Sequence, residues 1–406
     1  MQQMVITKKD GSIFSALFEN QDLIQINVEE ETSASLLGNI YIGKVKNIVK
    51  NINAAFVEIA DGQMCYLSLE GKMSPVFVNR KNTEKVCIGD EILVQVSRDA
   101  VKTKNPSVTT KLQLAGRYLV LTHGDCRVAV SGKIKDRDVR ERLQGMLEKQ
   151  LPQNPSFGVI VRTNAEKVQE TVLYRELEGL MSTYQKLCDQ GIHKKCFSML
   201  FQALPGYLCD IRDEYDTELE QIVTDDVQVY DRIKEYMEEY QPENLGKLRL
   251  YEDSMLSLAK LYGVYTKLEK ALQERVWLKS GGYLVIQPTE ALTVIDVNTG
   301  KAIAGKKAVE KHFLKINMEA AKEIAKQLRL RNLSGIIVID FIDLSEPQAK
   351  KQLIEVLEQE IKKDPVKTVF VDMTKLHLVE LTRKKVRRPL HEQVACIRRA
   401  NKMEMK

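Results

Sequence analysis

"LTVIDVNTGK", residues 292–301, reads as a buried strand that runs straight into a carboxylate, Asp296. The pattern returns 44 positions later in "GIIVIDFIDL", residues 335–344, where the apolar run reaches Asp340. Between the two lies "KKAVEKHFLKINMEAAKEIAKQLRLRN", whose apolar side chains recur at helical spacing. Working outward, "YLVIQP" pairs with "ALTVIDV" as a hairpin, and the helix "AKKQLIEVLEQEIKK" leads to the strand "KTVFVDM". This alternation predicts an α/β domain with helices covering a sheet.

If the two apolar strands are parallel neighbours, Asp296 and Asp340 stand at their carboxyl ends, on the rim where open α/β sheets place their sites. Asn298, two residues beyond Asp296, points to the same face of a continuing strand. Two carboxylates and an amide oxygen are hard ligands that suit Mg²⁺, which takes one or two carboxylates and keeps several waters. Without a cation, two close carboxylates repel and one holds its proton. A strand-end Asp also commonly caps a turn or a helix. Spacing alone leaves both readings open.

The wider sequence sets bounds. A chain of 406 residues predicts two to four domains, and 29% charged with 44% hydrophobic residues is ordinary for a globular protein. No run approaches the ~18 apolar residues of a membrane span, and "MQQMVITKKDGSIF" has no apolar signal region. The seven cysteines (65, 87, 126, 188, 196, 209, 396) form no C-x-x-C pair, which predicts reduced thiols and a cytoplasmic setting. From Arg383 to Lys406 there are nine Lys/Arg against two Glu, a surplus of +7 in a chain of net charge +5. A basic tail on a near-neutral body is either a solvated terminus or a contact for a polyanion.

Along the chain, "QMVITKK", "SIFSALFEN" and "DLIQINVE" read as short strands. Residues 35–110 carry "GNIYIGKVKNIVK", "AAFVEIADGQMCYLSL" and "IGDEILVQVSRD", a β-rich run with Gly turns that predicts a small barrel. Residues 111–207 mix strands ("GRYLVLTH", "FGVIVRTN") with helical patterns, one of them beginning near Asp136. Residues 208–278 read as mostly helical. No Gly-rich phosphate loop of the G-x-x-x-x-G-K-[ST] kind occurs, which argues against a nucleotide-binding enzyme.

"GGYLVIQPTEALTVIDVNTGK", "EAAKEIAKQLRLRNLSGIIVIDFIDL" and the "LTRKKVR" that follows the last predicted strand resemble the catalytic core of the bacterial ribonuclease E/G family. The resemblance covers essentially the whole chain. It implies an α/β, multi-domain fold: residues 1–34 plus 208–278 as an RNase H-like domain, 35–110 as an inserted OB-fold barrel and 111–207 as a 5′-monophosphate sensor. Residues 279–390 would form a DNase I-like catalytic domain and 391–406 a basic tail. Asp296 and Asp340 match the pair that holds catalytic Mg²⁺ (Mn²⁺ as a substitute), Asn298 matches a supporting residue, and Thr299 stands for the family's usual Ser.

The barrel resembles the RNA-binding module of ribosomal protein S-one. Phe56, Tyr66 and Lys104 match its RNA contacts, although Phe56 in "AAFVEI" taken alone reads as core. In "LAGRYLVL" and "FGVIVRTN", Gly116, Val120, Arg162 and Thr163 match the holder of the RNA 5′-monophosphate, and Lys133 in "SGKI" falls near the RNA path. By itself, a strand-end Arg is usually a solvated charge or a salt bridge.

The implied activity is Mg²⁺-dependent endonucleolytic cleavage of single-stranded, A/U-rich RNA to 5′-phosphate and 3′-hydroxyl ends. It would serve rRNA and tRNA maturation and mRNA turnover. The alternative is a non-catalytic RNA-binding or rRNA-maturation factor, which has no need of matched acids. "RRPLHEQVACIRRANKMEMK" has a single Cys396 with His391 nearby, where the family places a Cys-Pro-x-Cys zinc link and a dimerisation region. The expectation is therefore no zinc, and a monomer or a homodimer held by other surfaces.

Overall fold

The computed structural model describes residues 2–31, 35–60, 62–71, 74–78, 85–100, 105–153, 155–191, 193–214, 219–300 and 306–404, without the side chains of 306–309 and 399–404. The chain divides into two compact units, one of residues 1–33 with 217–406 and one of residues 34–216.

The first unit begins with an antiparallel meander of β1 (Gln2–Lys9), β2 (Ser12–Glu19) and β3 (Asp22–Glu30). Its two connections, Asp10-Gly11 and Asn20-Gln21, have positive φ at both residues, the hairpin geometry that matches strand twist.

The other unit holds β4 (Ile40–Val49), β5 (Ala54–Ala60), β6 (Gln63–Ser68), β7 (Glu91–Arg98) and β8 (Ser107–Thr109). They pair in the order β4-β5-β6-β8-β7, and β7 pairs back onto β4, closing a five-stranded OB-like barrel. Alternation along "AAFVEIA" sends Ala55, Val57 and Ile59 inside and leaves Phe56 partly exposed on the outer face. A second sheet runs β11-β12-β10-β9, from β9 (Gln113–Ala115), β10 (Leu119–His123), β11 (Val128–Val130) and β12 (Phe157–Val161). α1 (Arg137–Glu148) starts where expected, its N–H groups at 138 and 139 donating to the Asp136 side chain. α2 (Glu170–Gly191) buries Leu173, Leu177, Tyr184 and Leu187 in the core of this sheet. The unit ends with β13 (Met199–Phe201), added to β4, and α3 (Gly206–Asp213).

Back in the first unit, β14 (Leu219–Thr224) pairs parallel with β1, and β15 (Leu248–Leu250) pairs parallel with β14. The sheet order is β15-β14-β1-β2-β3, and α4 (Val227–Tyr240), α5 (Leu258–Leu261) and α6 (Val264–Ala271) accompany it. Helices outnumber strands across 208–278, as read, but the short strands were not foreseen. "LEQIVT" and "LRL" are too short for periodicity to separate strand from helix.

The remaining sheet contains β16 (Arg275–Trp277), β17 (Tyr283–Pro288), β18 (Leu292–Asn298), β19 (Gly335–Asp340), β20 (Thr368–Met373) and β21 (Val379–Arg383). Their order is β16-β17-β18-β19-β21-β20. "KTVFVDM" is therefore not the last strand. "VELTR" follows it, inserts between it and β19, and runs antiparallel to both. α7 (Lys306–Leu330) and α8 (Pro347–Lys362) share one core with Ile295, Val297, Ile337, Ile339, Val379 and Leu381, so both helices cover the same face of the sheet. Among the described residues no helix of this core covers the other face, where Ile336, Val369 and Val371 are exposed.

The segment read as a basic tail is α9 (Leu390–Glu404). Leu390, Val394 and Ile397, one turn apart, pack against the core of the first sheet, and the Gln393 amide oxygen accepts from Val28 N–H at 2.8 Å. Among the described residues no helix is long and apolar enough to cross a membrane.

Candidate active site

Asp296 and Asp340 are direct partners in the parallel β18/β19 ladder. Ile295 and Val297 point into the helix-covered core, which sends Asp296 and Asn298 to the open face. Asp296 is half-buried and Asp340 exposed. The Asn298 amide N–H donates to Asp296 Oδ2 at 2.6 Å, so Asn298 grips the carboxylate with its donor end. The sequence reading had its oxygen converging on the same point. Partial desolvation, then the like charges of Asp296 and Asp343, push the Asp340 carboxyl above the ordinary aspartate pKa.

Two adjacent acids whose charges oppose one another fit a divalent cation with hard-ligand preference. Among the described residues no group of three or more His, Cys, Asp or Glu side chains is placed to hold a metal ion.

The rim that carries these acids is braced from below. Asn317 of α7, fully buried, donates from its amide to Ile342 O at 2.7 Å and accepts from Ile342 N–H at 3.1 Å. Asn317→Leu orphans both backbone groups and is expected to cost about 2 kcal/mol, read as a lower urea midpoint at unchanged m-value. Glu310 accepts from Ser345 and Glu346 N–H, both at 2.8 Å, fixing the entry to α8. Gly300 must be glycine, because a Cβ there would run into the Gly281 carbonyl oxygen. Sequence reading did not find the neighbours of the pair. Asp343 lies 3.2 Å from His377 Nδ1, and Lys350 Nζ lies 3.0 Å from His377 Nε2. Each is a single polar residue on a loop or helix, and no pattern marked it.

The other predicted residues lie in the unit of residues 34–216. Phe56 and Tyr66 are register partners on β5 and β6, their rings edge to face with centroids 6.3 Å apart. Tyr66 also borders a groove of about 340 Å³ lined by Arg98, Ser107, Thr109 and Lys111. Lys104 lies outside the described residues.

The structure brings Gly116, Arg162 and Thr163 together. Arg162 Nη1 donates to Gly116 O at 2.8 Å and to Asp213 Oδ1 at 2.7 Å, and among the described residues its Nε and Nη2 make no further bond. Thr163 Oγ1 lies 3.1 Å from Ser131 Oγ, which also accepts from the backbone N–H of exposed Lys133 at 3.3 Å. Val120 sits across from Ala115 and Ile160 in the same sheet, half-buried. Gly116 is needed where it is: the Glu176 carboxylate, which accepts N–H bonds from Arg117, Tyr118 and Leu119, leaves no space for a Cβ. Burial opposes ionisation of Asp213, but Arg212 and then Arg162 hold its pKa at about 2.

A profile of the Ribonuclease E/G family matches residues 113–386. Ribonuclease G of Escherichia coli (strain K12) is 35% identical over 384 residues, which span 92% of this chain and 78% of that protein. Ribonuclease G of Haemophilus influenzae is 34% identical over 393 residues, 94% of this chain and 79% of that one. Ribonuclease E of Synechocystis sp. is 33% identical over 396 residues, 96% of this chain and 58% of that one. The chain belongs to the ribonuclease E/G family and is an endoribonuclease of that family.

Proposed function

We propose that the protein cleaves single-stranded, A/U-rich RNA in RNA processing and decay, with Mg²⁺ held by Asp296 and Asp340, leaving 5′-phosphate and 3′-hydroxyl ends. The carrying observation is the in-register placement of the two acids on the open face of a sheet. When bound, the metal supplies Lewis-acid stabilisation of charge on the phosphoryl oxygens. Asn298 orients the Asp296 carboxylate, and the Asn317-braced loop keeps Asp340 at the rim. Phe56 and Tyr66 offer stacking faces and Arg98 and Lys111 a basic groove, the combination that holds single strands. The sheet order β15-β14-β1-β2-β3 supports reading the first sheet as RNase H-like, and the helix-backed sheet β16-β17-β18-β19-β21-β20 supports a DNase I-like one. The absence of C-x-x-C pairs fits a reducing, cytoplasmic setting.

Incubating the protein with a 5′-labelled A/U-rich oligoribonucleotide, with Mg²⁺ and with chelator, tests this. Internal cuts with 3′-hydroxyl ends in Mg²⁺ alone are expected, and cutting that persists undiminished in chelator overturns the metal assignment.

The same reading makes Arg162 and Thr163 the 5′-monophosphate holder. Asp213 fixes the guanidinium through Nη1, and Nε and Nη2 remain to grip a phosphate. A 5′-monophosphorylated RNA is expected to be cut about tenfold faster than its 5′-hydroxyl counterpart, and Arg162→Ala to erase the difference. Equal rates for both ends in the unmutated protein would remove the sensor.

A further inference from the structure

We propose that Arg275, Trp277 and Tyr283 form a base-stacking subsite for single-stranded RNA on the open sheet face beside the carboxylate pair. The inference rests on the reading of Asp296 and Asp340 as the cleavage site, and it extends that site by two strands.

Strand register carries the argument. Trp277 pairs with Tyr283, and Tyr283 pairs with Asn298. Arg275 pairs with Val285, Val285 with Asp296, and Asp296 with Asp340. Directly opposed residues share a face, so two rows cross the sheet from the edge strand β16 to the acids. The intervening positions confirm the alternation: Leu284 and Val297 are buried in the helix-covered core, with Val276 packed against it. At the usual spacing of ~4.8 Å between strands, Arg275 lies about 10 Å from Asp296 along its row. That is the reach of a nucleotide flanking the reacting phosphate, not of the phosphate itself.

The chemistry of the cluster fits a base and its backbone. Trp277, the single Trp of the chain, is 64% exposed, an unusual place for the largest apolar surface available. Its ring stands 5.2 Å from that of Tyr283, and the Arg275 guanidinium lies 4.5 Å over Tyr283 and 5.8 Å from the Trp277 ring centroid. Among the described residues the Arg275 side chain makes no hydrogen bond or ion pair. A cation held in place by aromatic faces, with its donors unspent, can meet a phosphate while the indole takes the base. Trp, Tyr and Arg also anchor protein interfaces, and what favours RNA here is the register of the cluster with the carboxylate pair.

Because the chain has one Trp, its emission reports on this position alone. In chelator, titration of the full chain with an A/U-rich single strand is expected to quench that emission saturably, and a perfectly paired duplex to do so much less. Trp277→Ala should raise KM for the single strand about tenfold with kcat changed less, while Trp277→Phe, which keeps a stacking face, restores most of it. An unchanged melting temperature in Trp277→Ala establishes that the fold is intact. Cleavage with no quench, or an unchanged KM in Trp277→Ala, overturns the subsite. Concentration-dependent emission with matching light-scattering growth, unaffected by RNA, overturns it in favour of self-association. Quench without any Mg²⁺-dependent cleavage leaves the subsite standing and sinks the catalytic reading instead.

Discussion

Asp296→Asn and Asp340→Asn, each made alone, are expected to slow RNA cleavage on the order of a thousandfold, about 4 kcal/mol of transition-state stabilisation. Each change keeps the shape of the side chain and the strand pairing, and deletes a charge that a divalent cation needs. RNA binding should survive within a few-fold, because the stacking and basic groups lie elsewhere. The two substitutions differ in one respect. Asp296 accepts from Asn298 at 2.6 Å, so Asp296→Asn also disturbs that contact, whereas among the described residues no side chain is hydrogen-bonded to Asp340. The raised pKa of Asp340 gives the sign of the pH dependence. Its proton competes with metal up to a higher pH than on an ordinary aspartate, so the Mg²⁺ concentration for half-maximal rate should climb as pH falls. A half-maximal concentration that stays flat between pH 5 and 8, or a mutant cutting within tenfold of the parent, would contradict the pair's role.

Arg383→Ala is expected to destabilise the protein by about 3–5 kcal/mol, the usual cost of breaking a buried ion pair. The guanidinium is 3% exposed. It bridges Asp364 (Nε to Oδ2, 2.7 Å), the Asn332 side chain (2.9 Å) and Leu333 O (3.0 Å). Removing it takes the Arg383 charge away from the buried Asp364 carboxylate. Equilibrium unfolding in urea, followed by circular dichroism, checks the value. A loss below about 1 kcal/mol would mean that water reaches the cavity and replaces the arginine. The same contacts remove Arg383 from the account of a polyanion-binding tail. Its charge is spent inside the fold, where no phosphate reaches it.

The parts of the fold that could be read in advance share a property: their pattern is long relative to its period. The run from residue 292 to 362 holds two apolar strands that carry acids and two helices longer than four turns, a strand–helix–strand pattern compatible with parallel neighbours. β15 and β16 escaped because three residues cannot display a period, and β14 because its partner β1 lies on the other side of residues 34–216 in sequence. The outward face of Phe56 was open to the same alternation rule, since Val57 and Ile59 claim the interior, but a lone aromatic in a strand reads as core. α9 was hidden by its charge, which masks the Leu390, Val394, Ile397 stripe. Within the site, the acids were legible as residues, whereas their supports were not. Asn317 meets Ile342 from 25 residues away and Arg162 meets Asp213 from 51, contacts that only the folded chain displays.

The docking of α9 has a consequence for how the chain is made. β1–β3 are synthesised well before β14 and α9, yet their sheet needs β14 as a parallel neighbour, and its core needs Leu390. Synthesis must reach α9 before that core can close. Residues 34–216 carry their own barrel and sheet, and they can complete both while the opening meander still waits. At synthesis rates of roughly 5–20 residues per second, the interval from β3 to α9 lasts tens of seconds. During that time the apolar faces of Phe14, Phe18 and Ile26 have no partner from the far end of the chain. A nascent-chain chaperone would find its natural substrate in that window, and truncation before Leu390 would prolong it indefinitely.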